Sequence, residues 1–537
     1  MKHILLVVAT LYAHCALAQP PNAAWLATAG GFNDEDMNHS AADGTGHLFI
    51  AGLGGFMDFG NGVIIPGSAR AIARYDTLGN ISWARGLTMD PDAVTSIEGI
   101  AATSNGDLWV TGIYQTQTIM LDTFVLTTNN GTTCAYLARL DSTGAMVFAT
   151  SWGIGGIANT TTSEDICVDD QGNVLVTGWT TAPSLTVDGV TLLNDSSVWQ
   201  LYALKFDASG TALWGNESHA PRRWALGQAI GADALGNTYV SGRIEGVFVM
   251  GADTVGTDSV DAGVLIKLGP TGTVEYVHLL PPFYRQDITV DAIGNAYVCG
   301  IVQGTTVWGN DTLGATLFDG FVAAYAPDGN YRWVVGVQGT VGNEFCRSVV
   351  LDATQTGLLV SGTFREAAWF GDVYMETDVP PTDGFVMQVD TTGSVEWVKD
   401  LTGDGATLIA RAFFDPSGHL YTSGVTESNT TYLGKPVLNG VLDHAFLARF
   451  DDILMAVPQV TYGTVAQLHP NPCNGTFTMD TPANARAVVI TDAQGRVLQN
   501  IPLAASHVST FHIGAPGVYS VCVITETGSE VRRVIVK

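Results

Sequence analysis

Two groups of side chains in this sequence have types and spacings that could do chemistry. The first recurs about every sixty residues: Asn38, Glu98, Glu164, Gln228, Gln286 and Arg347, with Ala410 in the seventh place. Each stands five residues ahead of the Asp position of a repeated turn. Amide, carboxylate and guanidinium groups at one position of every repeat suit hydrogen bonding to a hydroxyl-rich ligand. If the register holds, the series rings one mouth of a central channel; Glu98 and Glu164 are its acids, and their substitution would test a polysaccharide hydrolase or lyase, whose paired carboxylates the sequence alone does not pick out. The second group is Arg222, Arg223 and Trp224, with Tyr284 and Arg285 in the corresponding loop of the next repeat. An indole face stacks on a sugar and a guanidinium grips a carboxylate.

Other constellations are thinner. Asp34, Glu35, Asp36 and His39 cluster before the first repeat, and Asp34 and Asp36 could hold Ca2+, which takes six to eight oxygens. No D-x-D-x-D-G phrase accompanies them, and a solvated acidic loop accounts for them as well. The chain has no G-x-S-x-G, H-E-x-x-H or P-loop phrase, so no catalytic residue is assigned and no cofactor is expected.

The elements that must position these residues come from an internal repeat. One phrase, an apolar strand, a turn with Asp three residues before Gly, and a second apolar strand ending in Gly, closes at Gly52, Gly112, Gly178, Gly242, Gly300, Gly362 and Gly424. Thr103 replaces Asp in the second copy, and the sixth has one extra residue. A second phrase follows, with a basic residue, D-x-x-G, and an aromatic four residues beyond that Gly, as at Trp83, Phe148, Trp214, Tyr276, Trp333 and Trp397. Both phrases alternate apolar residues about a Gly turn, which is hairpin patterning. Two hairpins give four strands per repeat, and seven repeats predict a seven-bladed β-propeller with four-stranded blades.

The seventh repeat lacks its last strand, and AAWLATAGG with Trp25 supplies it from the start of the chain. The N-terminal strand is therefore expected to close the last blade, leaving no open sheet edge. The Asp of each turn and the basic residues Arg74, Arg139, Lys205, Lys267 and Arg449 recur with the fold, so they read as turn capping and ion pairing before they read as catalysis.

Charge narrows the function classes. Among 537 residues there are 23 Lys and Arg against 51 Asp and Glu, a net charge of -28, which excludes nucleic acid as a main partner. The imbalance sits in the repeats, since residues 464–537 hold five basic and four acidic residues. Residues 1–18 read as a secretory signal: Lys2, an apolar run from Ile4 to Tyr12, and Ala16-Leu17-Ala18 as the cleavage site between Ala18 and Gln19. No later run is long enough to span a bilayer. Of the six remaining cysteines, Cys473 and Cys522 lie in the small C-terminal region and are the first pair to test for a disulfide.

The D-x-x-G-N-x-Y-V-[ST]-G phrase and its partner resemble the bacterial SBBP-type propeller repeat, over roughly residues 22–452. The C-terminal phrases are Pro470-Asn471-Pro472 with Asn474-Gly475, the Asp492-to-Gly495 turn, Gly517-Val518-Tyr519 and the basic strand ending at Lys537. They resemble the type A sorting domain of type IX secretion cargo. The resemblance implies a β-sandwich read by the type IX machinery, passage through the periplasm, and release or attachment at the outer surface of a Gram-negative cell. The expected organisation is a signal peptide at 1–18, propeller at 19–455, linker at 456–463 and sorting domain at 464–537. The expected function is a secreted scaffold that binds a glycan or a surface protein, with a polysaccharide-acting hydrolase or lyase as the alternative.

Overall fold

The computed structural model describes residues 22–451 and 467–537, apart from 31–35, 55–56, 66–68, 88–93, 129–131, 154–158, 195–197, 221–222, 258–260, 340–341, 353, 378–381, 402, 404, 428–430, 438–443, 470–472, 481–484, 492–496, 503–507 and 526–528. The described residues form strands and turns, with no α-helix among them. The chain divides into two compact units, one Pro20–Ile453 and the other containing Leu454–Lys537.

The larger unit holds seven blades of four antiparallel strands in chain order, two of them extended to six-stranded sheets by a neighbouring blade's hairpin. Blade one is Asp36–Ala42, Leu48–Gly54, Ala69–Tyr75 and Ile81–Gly86; blade three is Thr161–Val168, Val174–Thr180, Gln200–Phe206 and Ala212–Glu217. Blades two, four, five and six begin at Gly99, Ala225, Tyr284 and Phe345 and repeat the same order. Blade seven takes Thr407–Phe414, Leu420–Thr426 and His444–Asp451 from the end of the repeats. Its fourth strand is Asn22–Gly30, paired antiparallel with His444–Asp451 from Asn22 opposite Asp451 to Gly30 opposite His444. The first strands of the blades touch one another around a closed circuit, and blade seven meets blade one.

Apolar side chains from the two sides of each boundary between blades make one cluster apiece. Blades seven and one share Ala29, Met37, Ile50, Tyr421 and Leu447, with Trp25 against them. Blades two and three share Trp109, Trp152, Val176 and Tyr202. The ring is therefore held by its boundaries, and burial there is the main stabilising term.

The recurring polar residues of the sequence do structural work at one end of the ring. In each D-x-x-G turn the Asp carboxylate accepts backbone N–H groups: Asp76 from Leu78 and Asn80, Asp169 from Gln171 and Asn173, Asp233 from Leu235 and Asn237. Lys205 spans two blades, its Nζ 2.8 Å from Asp169 and donating to the Gly236 carbonyl at 3.2 Å. The outer-strand aromatics clamp the next blade. Trp25, Trp83, Trp214 and Trp333 donate their indole N–H to the carbonyls of Thr77, Ser142, Pro270 and Thr391. Gly79 has φ +82°, and a Cβ there would lie 2.8 Å from the Trp25 ring, so turn and clamp both require glycine.

The connections between second and third strands are β-hairpins rather than open loops. Ala367–Phe370 of blade six pairs with the outer strand of blade five, and Met57–Asp58 of blade one with Asn22–Gly30 of blade seven. These hooks account for a period longer than four short strands need.

The smaller unit is a sandwich of two sheets. Gln467–His469, Thr476–Asp480 and Val508–His512 form one, and Val497–Pro502, Ala485–Thr491, Gly517–Thr525 and Ser529–Val536 the other. Phe477, Met479 and Phe511 of the first pack with Val488, Ile490, Val521 and Val534 of the second. Cys473 is a buried free thiol here, as are Cys134, Cys299 and Cys346 in the ring; Cys522 lies in a strand but its side chain is outside the described set.

Candidate functional site

The strand-ending glycine of each repeat marks a bulge in the strand beside it. Opposite Gly178 the register of blade three shifts between Ser163 and Asp165, so Glu164 is the extra residue. A Cβ on Gly178 would overlap the Thr162 carbonyl, and glycine is what lets the bulged strand approach. Corresponding shifts fall across Asn38, Gln228, Gln286, Arg347 and Ala410. In blade two, Thr111 is opposed by Gly99 and also accepts the Glu98 N–H. The whole polar series thus occupies the bulge of the innermost strand, where an extra residue re-aims a side chain.

The residue after the bulge is the one that enters the channel. The Arg411 guanidinium lies 3.8 Å from the Asp165 carboxylate, although blades seven and three are not neighbours. Such a contact is only made inside the ring. Asp287 of blade five also acts on Arg411, and burial with the Arg411 charge holds His39 of blade one near 3, uncharged. Asp165 accepts the Ile230 N–H at 2.9 Å and Asp287 the Val349 N–H at 3.0 Å, so each carboxylate also ties its blade to the next. The polar series holds the bulge itself, one residue ahead of these channel contacts. A bulge preserves spacing in the chain while shifting which side chain faces inward.

Glu164 lies at the loop-rich end of the ring, away from the D-x-x-G turns. Its carboxyl accepts the Trp179 indole N–H at 3.0 Å. Burial pushes it up to about 7, and the neighbouring Glu98 adds to the rise. Burial likewise raises Glu98, whose carboxylate accepts the Ser96 hydroxyl at 2.6 Å.

Trp179 begins an aromatic arc across three blades. Its ring centroid is 4.8 Å from that of Trp199, and Trp199 is 6.4 Å from Trp224. The Arg243 guanidinium then sits 5.1 Å from Trp224 and 4.0 Å from Tyr284, and Tyr284 meets Phe318 edge-on at 5.9 Å. Trp199 is 43% exposed, the largest opening in the arc. Arg223 pairs with Glu245 at 2.9 Å, and Arg243 donates to both Asp261 oxygens at 3.0 and 2.7 Å.

Of the residues singled out from sequence, Trp224 and Tyr284 come together in this arc through Arg243, and Glu164 bonds to its first member, Trp179, whereas Arg223 pairs with Glu245. Trp179, Trp199 and Arg243 were missed; each lies in a different stretch of chain, and only the fold unites them. Gln228 sits at the bulge of blade four, and Arg347 lies over Phe345 at 5.6 Å. Asn38 Oδ1 is buried with no hydrogen-bond partner among the described residues. Arg222, Asp34, Glu35, Ala18 and Gln19 fall outside the described residues, as do the side chains of Arg285, Gln286 and Asp36.

Among known families, residues 467–537 match the secretion system C-terminal sorting domain and residues 154–183 match a β-propeller repeat. Among solved structures, the Dos1 propeller is similar at 9% identity and a TM-score of 0.41, covering 79% of this chain and 95% of that one. The extracellular domain of a one-component system from B. thetaiotaomicron matches at 10% identity and a TM-score of 0.20, covering 94% of this chain and 76% of that one. No curated protein matches the sequence. The chain carries a type IX sorting domain behind a β-propeller. It is exported through the periplasm to the surface or exterior of a Gram-negative cell, with the type IX machinery as partner. Among the described residues no helix is long and apolar enough to cross a membrane.

Proposed function

Given a propeller that the type IX machinery delivers outside the cell, we propose that it is a glycan-binding scaffold, with its binding surface at the loop-rich end of blades three to five. The observation that carries this reading is the contiguous arc Trp179, Trp199, Trp224, Arg243 and Tyr284. Trp199, 43% exposed, offers an open ring to the C–H face of a sugar, and Trp179, Trp224 and Tyr284 each keep part of their surface open beside it. Trp179 and Tyr284 stand in strands, and the carbonyls of Trp199 and Trp224 accept the N–H groups of Ala225 and Glu245, which reduces the ordering cost of binding.

A glycan array probed with the purified propeller tests the reading. Trp199→Ala should lose the signal while its melting temperature stays within a few degrees of the parent's. Binding to no glycan, or undiminished binding by Trp199→Ala, overturns it.

A second reading, a hydrolase acting on polysaccharide, draws on Glu164. A carboxyl raised to about 7 beside another carboxyl can donate a proton at neutral pH. Release of reducing ends from a polysaccharide, abolished by Glu164→Gln, would favour it over binding alone.

A further inference from the structure

The arc also says what kind of glycan it suits, an inference that rests on the binding reading above. We infer that the ligand is an uncharged polysaccharide strand lying along the arc from Trp179 to Tyr284, rather than a single sugar or an acidic polymer.

Length comes first. Rings and guanidinium succeed one another at 4.8, 6.4, 5.1 and 4.0 Å, without a gap, over residues contributed by blades three, four and five. A monosaccharide covers one ring. Arg243 takes up ring faces of Trp224 and Tyr284, but every member of the row keeps part of its surface open; only a chain reaches all of them, and each added contact then acts at high effective concentration.

Charge comes second. Arg243, which packs within the arc, and Arg223, the chain neighbour of Trp224, are both already neutralised. Arg243 has its faces against Trp224 and Tyr284, and its Nε and one terminal nitrogen are bound to the two oxygens of Asp261. Arg223 is paired with Glu245. A carboxylate or sulfate on the ligand would have to displace one of these acids. It would do so at the edge of a chain with net charge -28, whose field opposes the approach of anions. Neutral sugars meet neither obstacle: their hydroxyls can bond to the outer edges of Asp261 and Glu245 while both ion pairs stay intact.

Affinity electrophoresis of the propeller in gels containing xyloglucan, glucomannan, laminarin, polygalacturonate or heparin tests this, with neutral oligosaccharides of two to six units measured by calorimetry. Retardation by at least one neutral polymer is expected, unchanged between about 50 and 500 mM NaCl, since such binding releases no counterions. Affinity should rise at least about tenfold from the disaccharide to the hexasaccharide, and Trp199→Ala should remove most of that gain while Trp199→Phe restores part of it. Stronger retardation by polygalacturonate or heparin, lost with salt or with Arg243→Gln, overturns the inference while leaving glycan binding standing. Equal affinity for disaccharide and hexasaccharide does the same. Retardation by none of the five, with a blank glycan array, removes the binding reading itself.

Discussion

The indole N–H of Trp25 donates to the carbonyl of Thr77 at 3.1 Å, and the same carbonyl accepts Arg449 at 3.0 Å. Residues from the two ends of the repeat region thus converge on one turn of blade one. Trp25→Ala should remove this clamp and part of the cluster shared with Tyr421, 5.9 Å away. A loss of about 2 kcal/mol is expected for a half-buried ring, seen as a lower melting temperature. Deleting residues 22–30 should do more, exposing the edge of His444–Asp451 and driving aggregation on size-exclusion chromatography. A deletion protein that stays monomeric with an unchanged melting temperature would refute closure by this strand.

Lys205 and Asp169 form an ion pair whose side chains are 3% and 0% exposed. Lys205→Met keeps the stem but strands the carboxylate, and should cost about 3 kcal/mol or more in denaturant unfolding. Pairing it with Asp169→Asn should recover most of that loss, because no uncompensated charge then remains and the amide still caps the turn. Additive losses in the double mutant would show that the pair is not coupled.

Glu164 should make stability depend on pH. The folded protein holds its proton up to about 7, whereas the ordinary value is 4.5, so the native state binds more protons between these limits. Its contribution is complete below about 4.5 and is lost as pH rises through 7, up to about 3 kcal/mol in all. Between pH 5 and 8 the parent should therefore lose more melting temperature than Glu164→Gln does. Parallel curves for the two proteins would contradict the buried setting of this carboxyl.

Truncation after Asp451 should leave the propeller folded and stop its delivery. The sorting sandwich has its own core around Phe477, Val488 and Val534 and forms a separate compact unit. Fractionation should find the truncated chain in the periplasm, with circular dichroism and melting like the parent's, and the full chain at the surface or in the medium. Surface delivery of the truncated chain would assign the sandwich another task.

The repeats were legible because seven copies of a turn phrase average out local noise, and Trp25 was legible as the missing aromatic of the seventh. The channel cluster was not. His39, Asp165, Asp287 and Arg411 occupy one structural position with three different residue types, so no repeat pattern flags them, and the bulge sets them one residue beyond the recurrent polar series. Glycines 178, 242 and 424 carried the signal, since a glycine inside an apolar strand marks close backbone approach. The arc was half legible. Trp224 and Tyr284 lie in matching loops, whereas Trp179 ends a strand phrase and Trp199 precedes another strand; their 4.8 Å meeting exists only after the blade has paired.

The strand Asn22–Gly30 is made first and placed last. Blades one to six can each form as their own residues emerge, but blade seven stays one strand short until a segment more than four hundred residues older returns to it. During that interval the young ring has an unpaired edge and a gap beside blade one, where a protease or a second copy could enter. The time a chain spends between leaving the export channel and seating Trp25 is then its most exposed moment. The many local hairpins, which fold quickly, shorten the wait only up to that final, least local step.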